Sequence, residues 1–115
     1  MKVIIAGSRS ITDLSLIAIA MYESNLVATV TEVISGGARG VDQLGEQWAR
    51  LLEIPVKRFL ADWSLFGKSA GMKRNAQMAA YADALVAIWD GKSSGTKNMI
   101  QTARKAGLIV YVEKV

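Results

Sequence analysis

Short runs of aliphatic and β-branched residues alternate along this chain with longer stretches whose apolar positions recur at helical spacing. That alternation limits the possible folds more than any other feature. Lys2-Val3-Ile4-Ile5-Ala6 stops at Gly7, Glu32-Val33-Ile34-Ser35 stops at Gly36-Gly37, and Ala84 to Trp89 stops at Asp90. Further runs cover Pro55–Phe59 and Leu108–Val112. Continuous apolar runs of this length read as strands buried on both faces, and Pro55 places the third near a sheet edge. Between them the sequence predicts helices from Thr12 (an N-cap) to about Asn25, from about Arg39 to Leu52, over Ala70–Ala82 and over Gly95–Ala106. Asp13 falls in the first turn of the first, where an acid suits the helix dipole. Val41, Leu44, Trp48 and Leu51 mark the apolar stripe of the second. Residues 60–67, with Trp63 and Phe66, read as a loop. Five strands alternating with four helices give an α/β fold with three layers, a five-stranded, mainly parallel sheet covered on both faces by right-handed crossovers. No linker or low-complexity tract divides the 115 residues, so a single domain over 1–115 is expected.

Absent residue types narrow the chemistry. The chain has no histidine and no cysteine, which removes Ser-His-Asp catalysis, thiol nucleophiles, disulfides and Cys/His zinc sites. No metal and no cofactor are expected. The N-terminal apolar run is too short for a signal peptide, and Leu14–Tyr22 is too short to span a bilayer, so a cytoplasmic protein without membrane partners is expected. The net charge of +4 is unevenly spread: residues 1–65 carry six basic and seven acidic side chains, residues 66–105 seven basic and two acidic. A basic half suits an anionic partner, whether a phosphorylated small molecule or nucleic acid, and equally describes a solvated face.

Ligands of parallel sheets gather beyond the carboxyl ends of the strands, and polar, glycine-rich segments fall at those places. Gly7-Ser8-Arg9 leaves the first strand, offering close backbone approach, a hydroxyl and a guanidinium, or an ordinary turn. Gly36-Gly37-Ala38-Arg39-Gly40 joins the second strand to a helix, an arrangement that presents backbone N–H groups to an anion. Asp42 follows in the first turn, serving the helix dipole, accepting a ribose hydroxyl or orienting Arg39. Trp63 and Phe66 precede the basic turn at Lys68, where an aromatic ring stacks a base or plugs the rim of the core. Arg74-Asn75 supplies a clamp and an amide, although periodicity puts both on the surface. Ser93-Ser94-Gly95-Thr96 follows the fourth strand and opens the last helix as a second phosphate-type cradle or as plain first-turn residues.

As a linked set, Ile5-Ala6-Gly7-Ser8-Arg9, Ser35 to Asp42, Ala61-Asp62-Trp63, Gly67-Lys68, Ala70-Gly71, Arg74-Asn75 and Ser94-Gly95-Thr96 resemble the SLOG superfamily of Rossmann-like domains, the DprA/SMF–LOG group. Within it the chain is most similar to small single-domain members of the YspA, YpsA-related type. The resemblance covers nearly the whole chain and implies a nucleotide or nucleotide-derived ligand, such as an ADP-ribose-like molecule or a cyclic nucleotide, at the strand-end pocket. A sensor or sequestering protein for signalling nucleotides follows from it. The phosphoribohydrolases of the LOG type place a lysine after their arginine and end P-G-G-x-G-T-x-x-E. Here Asn75 stands for the lysine and Met99 for the glutamate. A thioether moves no proton, so binding without turnover is the first expectation. Hydrolysis of an N-glycosidic or phosphate-ester bond through Asp42, Asp62 or Asp90 is the alternative, with Asp90 the foremost substitute acid by position. Single-stranded nucleic-acid binding through the basic half is a weaker one. The first helix carries Leu14, Leu16, Ile17, Ile19 and Met21, an arc wider than one core-facing stripe, which predicts a homo-oligomer.

Overall fold

The computed structural model describes residues 1–115. Strands β1 (Lys2–Gly7), β2 (Glu32–Ser35), β3 (Val56–Arg58), β4 (Ala84–Trp89) and β5 (Ile109–Lys114) form one sheet in the order β3-β2-β1-β4-β5, and every neighbouring pair is parallel. This is the expected α/β, Rossmann-like sandwich. Alternate residues of each strand serve opposite faces. Val3, Ile5, Val33, Val86 and Ile88 meet helices α1 (Leu14–Glu23) and α2 (Val41–Leu51) on one side. On the other, Ile4, Ala6, Ile34, Leu85 and Ala87 meet α4 (Ala70–Tyr81) and α5 (Ser94–Lys105). Two packed faces explain why β1 and β4 read as unbroken apolar runs, and why β3, with Lys57 and Arg58 exposed, closes the sheet as a polar edge. No helix is long and apolar enough to cross a membrane.

Several local expectations are corrected. Asp13, not Thr12, caps α1, because its carboxylate accepts the Ser15 N–H at 3.0 Å and the Ser15 hydroxyl at 2.7 Å. Residues 60–67 are not an open loop. Trp63–Phe66 form a one-turn helix, α3, capped by Asp62 through the Leu65 N–H, and a 3₁₀ turn over Gly67–Ser69 leads into α4. In α2 the buried stripe runs through Val41, Gly45, Trp48 and Ala49, and Leu51 in the last turn is exposed, because Ala49 takes the core-facing position. The wide arc of α1 divides between partners: Ile17, Ala20 and Met21 are buried, Leu14 and Leu16 lean on the core, and Ile19 and Tyr22 face solvent.

Candidate functional site

The chain passes from β1 to β2 on one side and later returns to β4 on the other, so strand order reverses between β1 and β4. Their carboxyl ends meet where Gly7 pairs with Ile88. A crevice necessarily opens there. Its floor is a notch of about 70 Å³ lined by Gly7, Arg9, Ala38, Asp42, Arg74, Asn75, Ser93, Gly95 and Thr96, with Met78 and Met99 beneath. Two wider lobes flank it. One, about 400 Å³, lies against the Gly36–Arg39 loop, Gln43, Leu60 and Trp63. The other, about 550 Å³, lies against Trp63, Lys68, Met72, the Ser93–Gly95 turn and Asn98. Arg9 and Arg74 line all three spaces.

Most of the residues singled out in the sequence therefore converge. Gly7, Arg9, Gly36, Gly37, Ala38, Arg39, Asp42, Trp63, Lys68, Arg74, Asn75, Ser94, Gly95 and Thr96 all border the crevice. Ser8 and Gly40 do not. Ser8 is buried, its hydroxyl accepting the Asp90 N–H at 3.0 Å and its carbonyl accepting the Val41 N–H at 3.3 Å. Gly40, at φ 74°, packs its α-carbon so close to Ser8 and Arg9 that a methyl group would come 2.4 Å from the Ser8 carbonyl oxygen. The two residues fasten the loop leaving β1 to the loop leaving β2.

The Gly36–Asp42 loop is held from beneath. Glu46, fully buried, accepts the Ser35 hydroxyl at 2.6 Å and the Arg58 Nε–H at 3.0 Å. With its proton committed to Glu46, the Ser35 oxygen accepts the Gly37 N–H at 3.0 Å. Asp42 accepts the Ala38 N–H at 3.2 Å. A methyl group at Gly36 would come 2.5 Å from Arg74 Nη1 and 2.8 Å from an Asp42 carboxylate oxygen, so only glycine lets these charged groups approach. Burial pushes the Asp42 carboxyl up to about 6, against the pull of the Ala38 N–H and the Arg74 guanidinium.

Arg74 and Asn75 are not the surface residues that periodicity suggests, because α4 packs this turn against the start of α5. Asn75 is buried; its amide donates to the Gly95 carbonyl at 3.3 Å and to Asn98 Oδ1 at 2.9 Å, and its oxygen accepts the Arg74 Nε–H at 3.0 Å. Arg74 Nη1 donates to the Gly36 carbonyl at 2.8 Å. The guanidinium thus stands between the two loops, its basicity lowered by burial and by Arg9 while Asp42 opposes the change. Both ion pairs of the molecule are made by Glu46, so Arg9, Arg39, Lys68 and Arg74 face the crevice without a carboxylate at ion-pair distance. The first N–H groups of a helix have no intrahelical acceptor, and α5 brings its first turn, Ser94 to Thr96, to the same space, with the Thr96 N–H capped by the Ser93 hydroxyl at 3.4 Å.

Two of the three carboxyls offered as substitute acids, Asp90 and Asp62, are occupied otherwise. Asp90 accepts the Lys92 and Ser93 N–H groups at 2.8 and 2.9 Å, which holds its pKa below the usual range and marks it as a loop cap. Asp62 caps α3 and is likewise lowered, by the Ser64 hydroxyl and the Leu65 N–H. Sequence reasoning passed over Glu46, Arg58 and Asn98. A glutamate four residues after Asp42 on the buried stripe of α2 was the available signal for Glu46.

A family model described as YAcAr, the YspA, cpYpsA-related SLOG family, matches residues 1–66, which include both loops leaving β1 and β2. The chain belongs to that family. It is 38% identical over 84 residues to the Gene 61 protein of Mycobacterium phage D29, covering 68% of this chain and 67% of that protein. It also superposes on the DNA processing protein A (DprA) of Streptococcus pneumoniae with a TM-score of 0.76 over 96% of its length, at 16% identity. This likeness concerns the fold alone. The chain spans about half, 49%, of that structure. Arg74, Asn75 and the start of α5 lie outside the segment matched by the family model.

Proposed function

We propose that the chain binds a phosphorylated nucleoside-type small molecule in the crevice between β1 and β4 and acts as a sensor or sequestering protein. The observation that carries this reading is the pair Arg9 and Arg74, two guanidinium groups without ion-pair partners at the junction of all three spaces. Guanidinium forks and helix first turns are the protein's means of holding phosphate. Trp63, half-exposed beside them, offers a face on which a base can stack. Membership of a SLOG family supports a nucleotide-related ligand. Mass spectrometry of small molecules released by heat from gently purified protein tests the reading. A stoichiometric phosphorylated nucleoside is expected, and its absence, together with no calorimetric response to a nucleotide panel, would overturn it.

One observation favours a second reading, N-glycosidic hydrolysis. Asp42 borders the notch and titrates near 6, the range of a useful general acid. Base release that scales with protein and vanishes in Asp42→Asn would establish it. Self-association belongs to the proposal as well, supported by Ile19 and Tyr22, apolar surface that α1 leaves open. Light scattering that reports only the 12.4 kDa particle at high concentration would remove it.

A further inference from the structure

The two edges of the sheet are finished differently. β3 is three residues long, follows Pro55 and exposes Lys57 and Arg58, all devices that keep an edge from pairing. β5 runs for six residues in unbroken parallel register with β4, contains no proline and carries charge only at its last two positions, Glu113 and Lys114. Ile109 and Val115 donate their N–H groups to the Asp83 and Trp89 carbonyls at 3.2 and 2.9 Å. The alternation along a strand then turns the N–H and C=O groups of Val110, Val112 and Lys114 away from the sheet, and no loop segment bonds them. Ile109 and Val115, at the two ends of this open edge, are half-exposed aliphatic side chains.

Resting on the self-association proposed above, but on a surface other than α1, we infer that β5 pairs antiparallel with β5 of a second copy about a two-fold axis through Val112. The outward-facing residues are self-complementary about that axis. Val112 meets Val112 of the second copy and Val110 meets Lys114, so every outward N–H and C=O group of the three gains a partner. The same register sets Ile109 against Val115, covering both half-exposed side chains, and Tyr111 against Glu113, a hydroxyl against a carboxylate. On the other face the Lys114 stem lies over Val110. Neighbouring registers match less well. An axis through Glu113 would oppose the two Glu113 carboxylates, and an axis through Tyr111 would set Ile109 against Glu113. An unrelated extended peptide meets the backbone of this edge but lacks that reciprocity, which is why the occupant is a second copy. The strands of the two sheets run in opposite senses, so the two crevices open at opposite ends of the joined sheet.

Sedimentation equilibrium of the intact chain over a concentration series, with Val112→Pro beside it, tests the inference. The parent is expected to reach twice 12.4 kDa. Val112→Pro removes only an outward N–H, a change that an edge strand tolerates. Because both copies lose that donor, the dimer dissociation constant is expected to rise about tenfold or more. Cross-linking reads the register independently and decides alone if the proline variant does not fold. The chain has no cysteine, so Val112→Cys carries the sole thiol. Across a hydrogen-bonded antiparallel pair the α-carbons lie about 5.5 Å apart, within disulfide reach. Mild oxidation is expected to give a covalent dimer from Val112→Cys and none from Val110→Cys, whose thiols stand four residues, about 13 Å, apart along the edge. A parent that stays monomeric overturns this pairing and self-association together. A dimer that Val112→Pro leaves intact, an unlinked Val112→Cys, or equal linking through both cysteines overturns the β5 pairing. If Tyr22→Arg then dissociates the dimer, self-association through α1 stands without it.

Discussion

The two walls of the crevice are built in opposite ways. The wall from Gly36 to Asp42 is stitched to the core: Glu46 holds Ser35, Ser35 holds Gly37, and Asp42 holds Ala38. The wall from Leu60 to Met72 has little beneath it. Leu60, Trp63, Leu65, Phe66 and Met72 are all exposed, and α3 is a single turn hung on the Asp62 cap. A pinned wall fixes where donors point before a ligand arrives, which lowers the ordering cost of binding. An exposed apolar wall gains burial only when something covers it. On the proposed nucleotide-binding reading, the first wall sets geometry and the second sets affinity for the apolar part of a ligand.

Removing the stitch at its base should produce the largest change. Glu46→Ala leaves the Ser35 hydroxyl buried without its acceptor and takes the partner from Arg58, itself half-exposed. A loss of about 2 kcal/mol in denaturant unfolding is expected, the scale of hydrogen bonds to a charged group, with weaker nucleotide binding as well. Unchanged stability would mean that the Gly36–Asp42 wall does not depend on this network.

Acidity should alter the same wall in a defined direction. Asp42 has its folded-state pKa raised from 3.8 to about 6, chiefly by burial. Between those values the folded chain binds more protons than the unfolded one, so the contribution is fully present below pH 3.8 and is lost as pH rises to about 6. The span corresponds to roughly 3 kcal/mol. Asp42→Asn should flatten this part of the stability profile in chemical denaturation. Neutralising the carboxyl beside Arg74 should also strengthen phosphate binding below pH 6. A variant with the same slope as the parent would assign the dependence to other groups.

The fold was legible because each strand's apolar run and terminal residue agreed with its burial, from Val3–Gly7 to Ala84–Trp89. The loops leaving β1 and β2 were legible for the same reason: glycines gather where backbone and charged groups approach, as Gly36 does with Arg74 and Asp42. What stayed hidden depends on tertiary partners. Asn75 is polar on a helix with a mixed surface, and only the approach of Gly95 and Asn98 shows it buried. Glu46 looks like a solvated helix acid until Ser35 and Arg58 are brought beside it. Residues 63–69 are too short for periodicity to register, so their helical turn is written only in the Asp62 cap.

The exposed wall should respond most weakly in stability. Trp63→Ala is expected to change unfolding by no more than about 0.5 kcal/mol, since the indole is half-exposed with its edge against Gly71. Nucleotide affinity should nevertheless fall. A large loss of stability with unchanged affinity would make Trp63 a structural plug and reverse the assignment of the two walls.

Arg9 offers the most direct measurement, because it is exposed, lines all three spaces and forms no ion pair within the chain. Calorimetric titration of the parent and Arg9→Ala with ADP and ADP-ribose, alongside their unfolding midpoints, isolates the anion clamp from the fold. Binding by the parent, a loss of about tenfold or more in the variant and coincident midpoints are the results expected if phosphate is held where β1 and β4 diverge. Equal affinity in the two proteins would contradict a phosphate site at this crevice.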